Sequence, residues 1–144
     1  MDNTSKPKYD IILDRKVRIK MSDGEEIAGV LVRPSSKGTF PGIVEYTPYR
    51  RLNFVNDGVS EKDYNHRWHG PAWFAQRGYA VIMFDVRGTG NSSGFSKDIY
   101  SERERTDAYE VVDWIANQPW CNGKVGMWGM SYGGGTGPSR PRCR

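Results

Sequence analysis

The chain has 144 residues, of which 37% are hydrophobic and 26% charged, so it holds enough apolar material for one packed domain and too much for a disordered chain. Its net charge is +4, but Arg140, Arg142 and Arg144 lie within the last five residues, and without them the charge falls to +1. This near-neutral body has no nucleic-acid motif, and no apolar run approaches the ~20 residues that span a membrane, so we expect neither nucleic acid nor a membrane as a partner.

The N-terminal part of the sequence predicts a loose segment and then three strands. Residues 1–10 are polar and lack the apolar stretch of a signal peptide, which favours a cytoplasmic protein. An exposed strand is predicted over 17–20, and its hairpin partner over 27–32 follows a Ser-Asp-Gly turn. A third strand is predicted over 43–46, and the segment 49–65 predicts a long loop because it has no clear period.

A helix and a buried strand are predicted next. Pro71 suits the first turn of a helix that continues to Arg77, and Gly78 stands where a C-terminal cap belongs. The six residues 79–84 are all apolar, which is typical of a strand buried on both faces of a parallel sheet.

The clearest helix begins at Ser101, which forms a capping-box pattern with Glu104. An apolar stripe over 108–115 continues this helix, Pro119 ends it, and a last strand is predicted over 125–128. The alternation of strands and helices predicts an α/β fold with a mostly parallel sheet and flanking helices.

A short motif follows the last predicted strand. Gly129-Met130-Ser131-Tyr132-Gly133 fits G-x-S-x-G, in which small residues near the serine let a strand and a helix pass closely at a sharp turn. Such a turn presents a serine nucleophile, whereas the simpler alternative is a glycine-rich turn with an exposed serine. The position directly after an apolar strand favours the nucleophile.

Three stretches of the chain, in order, resemble the CocE/NonD hydrolases, which are α/β-hydrolases related to cocaine esterase and the Xaa-Pro dipeptidyl peptidases. They are TPYRR (47–51), RGYAVIMFDVRGTGNSSG (77–94) and YEVVDWIANQPWCNGKVGMWGMSYGG (109–134). The resemblance implies a serine hydrolase that cleaves a small-molecule ester or a peptide bond of the Xaa-Pro type through an acyl-enzyme. It also implies that Ser131 is the nucleophile, and that the backbone N–H of Tyr132 and the hydroxyl of Tyr49 form the oxyanion hole.

Two other patterns are less suggestive of chemistry. Asp85 and Arg87 begin a glycine-rich loop whose glycine spacing differs from that of dinucleotide-binding loops, so we interpret both as scaffold and expect no cofactor. His66 and His69 are three residues apart, but a metal site would need a third ligand that nothing in the sequence supports, so we expect no metal.

The pattern changes after Ser131. In α/β-hydrolases the triad carboxylate and then the histidine follow the serine, yet residues 132–144 contain no Asp, Glu or His. The sequence therefore predicts a loose segment at 1–14, a partial α/β-hydrolase domain over 15–134 truncated just after the nucleophile elbow, and an aberrant Gly/Pro/Arg-rich tail over 135–144. A frameshift would produce such a tail.

We expect this chain to be inactive alone for want of the triad Asp and His. The alternatives are a non-catalytic module that completes a sheet with a partner, and a binding module with a basic tail. The choice between ester and Xaa-Pro peptide substrates and the oligomeric state stay open at this point.

Overall fold

The computed structural model describes residues 5–49, 70–129 and 132. In chain order, its elements are strands β1 (Ile11–Lys20), β2 (Glu26–Pro34) and β3 (Phe40–Thr47), helix α1 (Pro71–Ala75), strand β4 (Ala80–Asp85), helix α2 (Glu102–Ala116) and strand β5 (Cys121–Met127). Within the described ranges, neither helix has the length and apolar character needed to cross a membrane. Apart from Tyr49, the predicted loop over 49–65 lies outside these ranges.

The five strands form one mixed sheet in the order β1-β2-β4-β3-β5. Strand β2 is antiparallel to both β1 and β4, whereas β3 is parallel to both of its neighbours, β4 and β5. The predicted α/β class is confirmed, with the parallel pairing confined to β4, β3 and β5. Because these three strands run in the same direction, their carboxyl ends lie at the same edge of the sheet.

Strand β1 begins earlier than the sequence predicts. It starts at Ile11, which pairs with Pro34, and not at Val17, so residues 11–14 are paired with β2 and are not loose. A register shift between Asp14 and Val17 explains the difference. Such a bulge interrupts the two-residue alternation from which a strand is recognised in a sequence.

The core lies on both faces of β4, as the apolar run 79–84 predicts. All six residues of β4 are buried, and four of them belong to one or the other of two apolar clusters. Ile82 and Phe84 belong to the cluster that includes Ile115 of α2. Met83 belongs to the opposite cluster with Ala75 of α1. The sheet is therefore covered by a helix on each face.

Candidate functional site

The site is built at the edge where the parallel strands β4, β3 and β5 end, which we call the carboxyl edge. Tyr49 follows β3, the loop from Asp85 follows β4, and the segment from Trp128 follows β5. The backbone N–H of Trp128 donates to the carbonyl of Val44 at 2.8 Å, so the pairing of β5 with β3 continues one residue past the strand. In open α/β sheets, ligands bind outside this edge.

Two of the three predicted site residues lie within the described ranges, at the ends of neighbouring strands. Tyr49 is half exposed, and its backbone N–H donates to the Thr47 hydroxyl at 3.4 Å. Tyr132 has helical backbone geometry and is partly buried. Strand β5 ends at Met127, five residues before Tyr132. Ser131 itself lies outside the described residues.

The side chain of Tyr132 is engaged with helix α2 and the loop that precedes it. Its hydroxyl donates to Oε2 of Glu104 at 2.6 Å, and its ring stacks on Tyr100 with 4.5 Å between the ring centroids. Burial, reinforced by the hydrogen bond to Glu104, raises the pKa of Tyr132 to about 12. The hydroxyl of Tyr132 is thus engaged with Glu104 and not with the solvent.

The sequence predicts Glu104 only as part of a capping box, but the structure places its carboxylate against Tyr132. The Glu104 side chain is buried, Oε1 accepts from the Ser96 hydroxyl at 2.6 Å, and Oε2 accepts from the backbone N–H of Tyr100 at 3.1 Å. The capping-box pattern predicts a different partner, the backbone N–H of Ser101. The second hydrogen bond of the capping box is present, since the Ser101 hydroxyl accepts from the Glu104 N–H at 3.2 Å. The motif therefore located Glu104 on α2 but not the group that its carboxylate binds.

The loop after β4 is closed by its own hydrogen bonds. The buried Asp85 carboxylate accepts from the backbone N–H of Asn91 at 3.1 Å, and the Ser92 hydroxyl donates to the Asp85 carbonyl at 2.6 Å. Gly90 has φ +53° and lies against Asp85, where any Cβ would overlap the carboxylate. These contacts agree with the interpretation of Asp85 as scaffold.

Arg87 in the same loop is buried and is held by ion pairs. It makes a two-bond contact with Asp107 of α2 at 2.6 and 2.9 Å, and a further pair at 3.0 Å with Asp23 in the β1–β2 turn. Arg103 adds a second pair to Asp107 at 2.7 Å. The hydrogen bond to Asp107 raises the pKa of Arg87, so the guanidinium stays charged. This cluster ties the loop to α2 and to the hairpin turn, as expected of scaffold.

Other features of the described chain lie away from the carboxyl edge. A groove of about 540 Å³ is lined by residues of β1 and β2, among them Ile12 and Arg33, together with Trp120. Because Val32 of β2 pairs with Val81 at the start of β4, this groove lies toward the opposite edge of the sheet. No group of three His, Cys, Asp or Glu residues within the described ranges is arranged to hold a metal ion, and both histidines lie outside those ranges.

Comparison with known proteins agrees with this architecture. The chain is 33% identical over 120 residues to the cocaine esterase of a Rhodococcus species, covering 83% of this chain and 19% of that protein. It is 34% identical over 138 residues to a putative serine esterase of Mycobacterium bovis, covering 89% of this chain and 22% of that protein. The chain thus spans about a fifth of the length of these curated relatives.

Solved structures show the same fold. A CocE/NonD family hydrolase from Staphylococcus aureus superposes with a TM-score of 0.75 at 28% identity, over 88% of this chain and 24% of that one. An α-amino acid ester hydrolase superposes with a TM-score of 0.70 at 31% identity, over 94% and 25% respectively. The predicted α/β-hydrolase fold and the resemblance to CocE/NonD hydrolases are confirmed. Residues 23–138 match the sequence pattern of the X-Pro dipeptidyl-peptidases, and because this match covers most of the chain, the chain belongs to the X-Pro dipeptidyl-peptidase (S15) family of serine hydrolases.

Proposed function

We propose that this chain supplies the nucleophile and the oxyanion hole of a serine hydrolase that cleaves a small-molecule ester or a peptide bond of the Xaa-Pro type. Ser131 would be the nucleophile, and the Tyr49 hydroxyl and the Tyr132 N–H would be the oxyanion donors. One observation carries the proposal: β3 and β5 are parallel neighbours, so Tyr49 and Tyr132 follow strands that end side by side. Membership of the S15 family and the esterase relatives support the same chemistry.

The proposed reaction is acyl transfer. The Ser131 hydroxyl attacks the carbonyl carbon while a base takes its proton, and the carbonyl oxygen becomes an oxyanion that Tyr49 and Tyr132 stabilise. The leaving alcohol or amine departs with that proton, and water then releases the acyl group by the same steps. A single preorganised donor contributes about 3–4 kcal/mol to such a transition state, so each tyrosine is worth roughly a hundredfold or more in rate.

A serine nucleophile needs a base and a carboxylate that orients the base, and in this fold both normally follow the serine in the chain. Both histidines precede Ser131, and residues 132–144 hold no Asp, Glu or His. We therefore propose that the 144-residue polypeptide has little or no turnover by itself. Its site would be completed by a polypeptide that carries the two missing triad residues.

Labelling with a fluorophosphonate probe tests this proposal. We expect little labelling of the 144-residue polypeptide alone. Co-expression with the part of the Rhodococcus cocaine esterase that follows its matched region should give labelling and esterase turnover. S131A should abolish both, whereas S36A, which changes an exposed serine in the β2–β3 loop, should abolish neither. We call this co-expressed pair of polypeptides the complemented protein. No labelling in the complemented protein, or labelling that survives in S131A, would refute the proposed role of Ser131.

Two further measurements on the complemented protein refine the assignment. Y49F should lower kcat by about a hundredfold with little change in KM, because a donor to the oxyanion acts mainly in the transition state. An unchanged kcat would remove Tyr49 from the site. Parallel assays with a nitrophenyl ester and an Xaa-Pro nitroanilide would then distinguish the two substrate classes.

A further inference from the structure

A buried carboxylate lies at the carboxyl edge without a part in the acyl-transfer steps. Glu104 is 1% exposed, and within the described ranges its hydrogen-bond partners are all neutral donors: the hydroxyls of Ser96 and Tyr132 and the N–H of Tyr100. Burial of a carboxylate is unfavourable unless its oxygens are well satisfied. Three donors on two oxygens meet that requirement, and one of them belongs to the residue that follows Ser131.

Tyr132 is fixed by contacts at both the face and the tip of its side chain. Its ring stacks on Tyr100 at an interplanar angle of 23°, and its hydroxyl is bound to Glu104 at 2.6 Å. Only the Cα and Cβ atoms separate this ring from the backbone N–H, so holding the ring and the hydroxyl restricts where that N–H points. Direction matters here because an oxyanion donor is effective only when it is aimed at the position where the negative charge develops.

The backbone of Tyr100 supports the same arrangement. Within the described ranges, Tyr100 is the one non-glycine residue with a positive φ, at 55°. In this conformation its N–H donates both to Oε2 of Glu104 at 3.1 Å and to the Tyr132 hydroxyl at 3.3 Å. A left-handed backbone costs about 1 kcal/mol or more for a residue with a side chain, and it persists where the surroundings hold it in place.

We propose that Glu104 is a positioning residue for the oxyanion hole, acting through the Tyr132 hydroxyl on the Tyr132 backbone N–H. The inference rests on the proposed function, because the N–H matters only if Ser131 attacks a carbonyl group. In this role Glu104 would act through Tyr132 and not by contact with the substrate. It stands on the first turn of α2, which Ser101 caps, and so connects the nucleophile turn to a helix packed against the core.

The contact itself can be tested on the 144-residue polypeptide by NMR of tyrosines labelled with carbon-13 at Cζ, with Y132F used to assign the signal. At pH about 11 an ordinary tyrosine is mostly ionised, whereas Tyr132 should still be mostly protonated. E104Q removes the neighbouring charge and should lower the pKa of Tyr132 toward the ordinary value. E102Q is the matched control, since Glu102 is an exposed carboxylate in the same helical turn and should have no effect. An unchanged Tyr132 titration in E104Q would overturn the assignment.

The consequence for catalysis can be tested on the complemented protein. E104Q and Y132F should each lower kcat by about tenfold while KM changes less than about twofold, as for loss of an interaction made in the transition state. The double variant should be no slower than either single variant, because both remove one chain of contacts. If E104Q does not fold, Y132F still tests the proposal. It removes only one oxygen atom from a partly buried side chain, so we expect it to fold.

The outcomes separate the two proposals. Parent-level kcat in Y132F, or effects that multiply in the double variant, would overturn the positioning role of Glu104. Absence of turnover in the complemented parent protein would refute the proposed function instead, and the Tyr132 titration would still decide whether Glu104 holds this side chain.

Discussion

The ion pair between Arg87 and Asp107 should be the most sensitive polar contact in the fold. The Asp107 side chain is fully buried and that of Arg87 is 6% exposed, so D107N would leave a buried guanidinium without its main partner. Removing one member of such a pair costs about 3–5 kcal/mol, a large part of the ~5–15 kcal/mol that stabilises a domain. With a urea dependence of about 2 kcal/mol per molar, the unfolding midpoint should fall by roughly 1.5–2.5 M.

Urea unfolding followed by tryptophan fluorescence would measure this shift. D113N is the matched control, because Asp113 is exposed on the same helix and should change the free energy of unfolding by less than about 0.5 kcal/mol. The double variant R87M/D107L removes both charges and should lose less than the sum of its single variants, since apolar side chains can replace a buried pair. Equal midpoints for D107N and D113N would refute the reasoning.

Two other predictions concern packing and pH. G29A should destabilise the fold by about 1–3 kcal/mol because its Cβ would overlap the ring of Phe84, whereas G126A, whose Cβ meets no atom within 4 Å, should be neutral in the same urea assay. Partial burial opposes ionisation of Glu110, but hydrogen bonds from Ser22 outweigh it and lower the pKa of Glu110. Because the native pKa lies below the unfolded value of 4.5, ionised Glu110 stabilises the fold above pH 4.5, and this stabilisation is lost as the pH falls below it. In E110Q the free energy of unfolding should therefore fall less steeply with decreasing pH in the acid range.

The elements with strong local signals were the ones that the sequence could predict. The apolar run 79–84 identified β4, and the spacing of Ser101 from Glu104 located the start of α2. Both signals arise from short-range physics: burial on two faces of a strand, and hydrogen bonds within one helical turn. The start of β1 was missed because the bulge after Asp14 interrupts the alternation that marks a strand.

The support around the site could not be predicted because it depends on long-range contacts. Glu104 and Tyr132 are 28 residues apart, and Arg87 and Asp107 are 20 apart. No pattern within either segment specifies the other as its partner. The family resemblance predicts site roles for Ser131, Tyr49 and Tyr132 by matching motifs, but it carries no information on what holds Tyr132 in place.

Helix α2 links the two parts of this support. Glu104 and Asp107 are three residues apart, so both carboxylates lie on the same face of the helix and point into the protein. One holds the turn after β5 through Tyr132, and the other holds the loop after β4 through Arg87. Strand β3, which Tyr49 follows, lies between β4 and β5. Helix α2 therefore contacts the segments that follow the strands on both sides of β3. A single helix therefore holds both Tyr132 and the scaffold loop after β4, which accounts for two buried carboxylates within one helical turn.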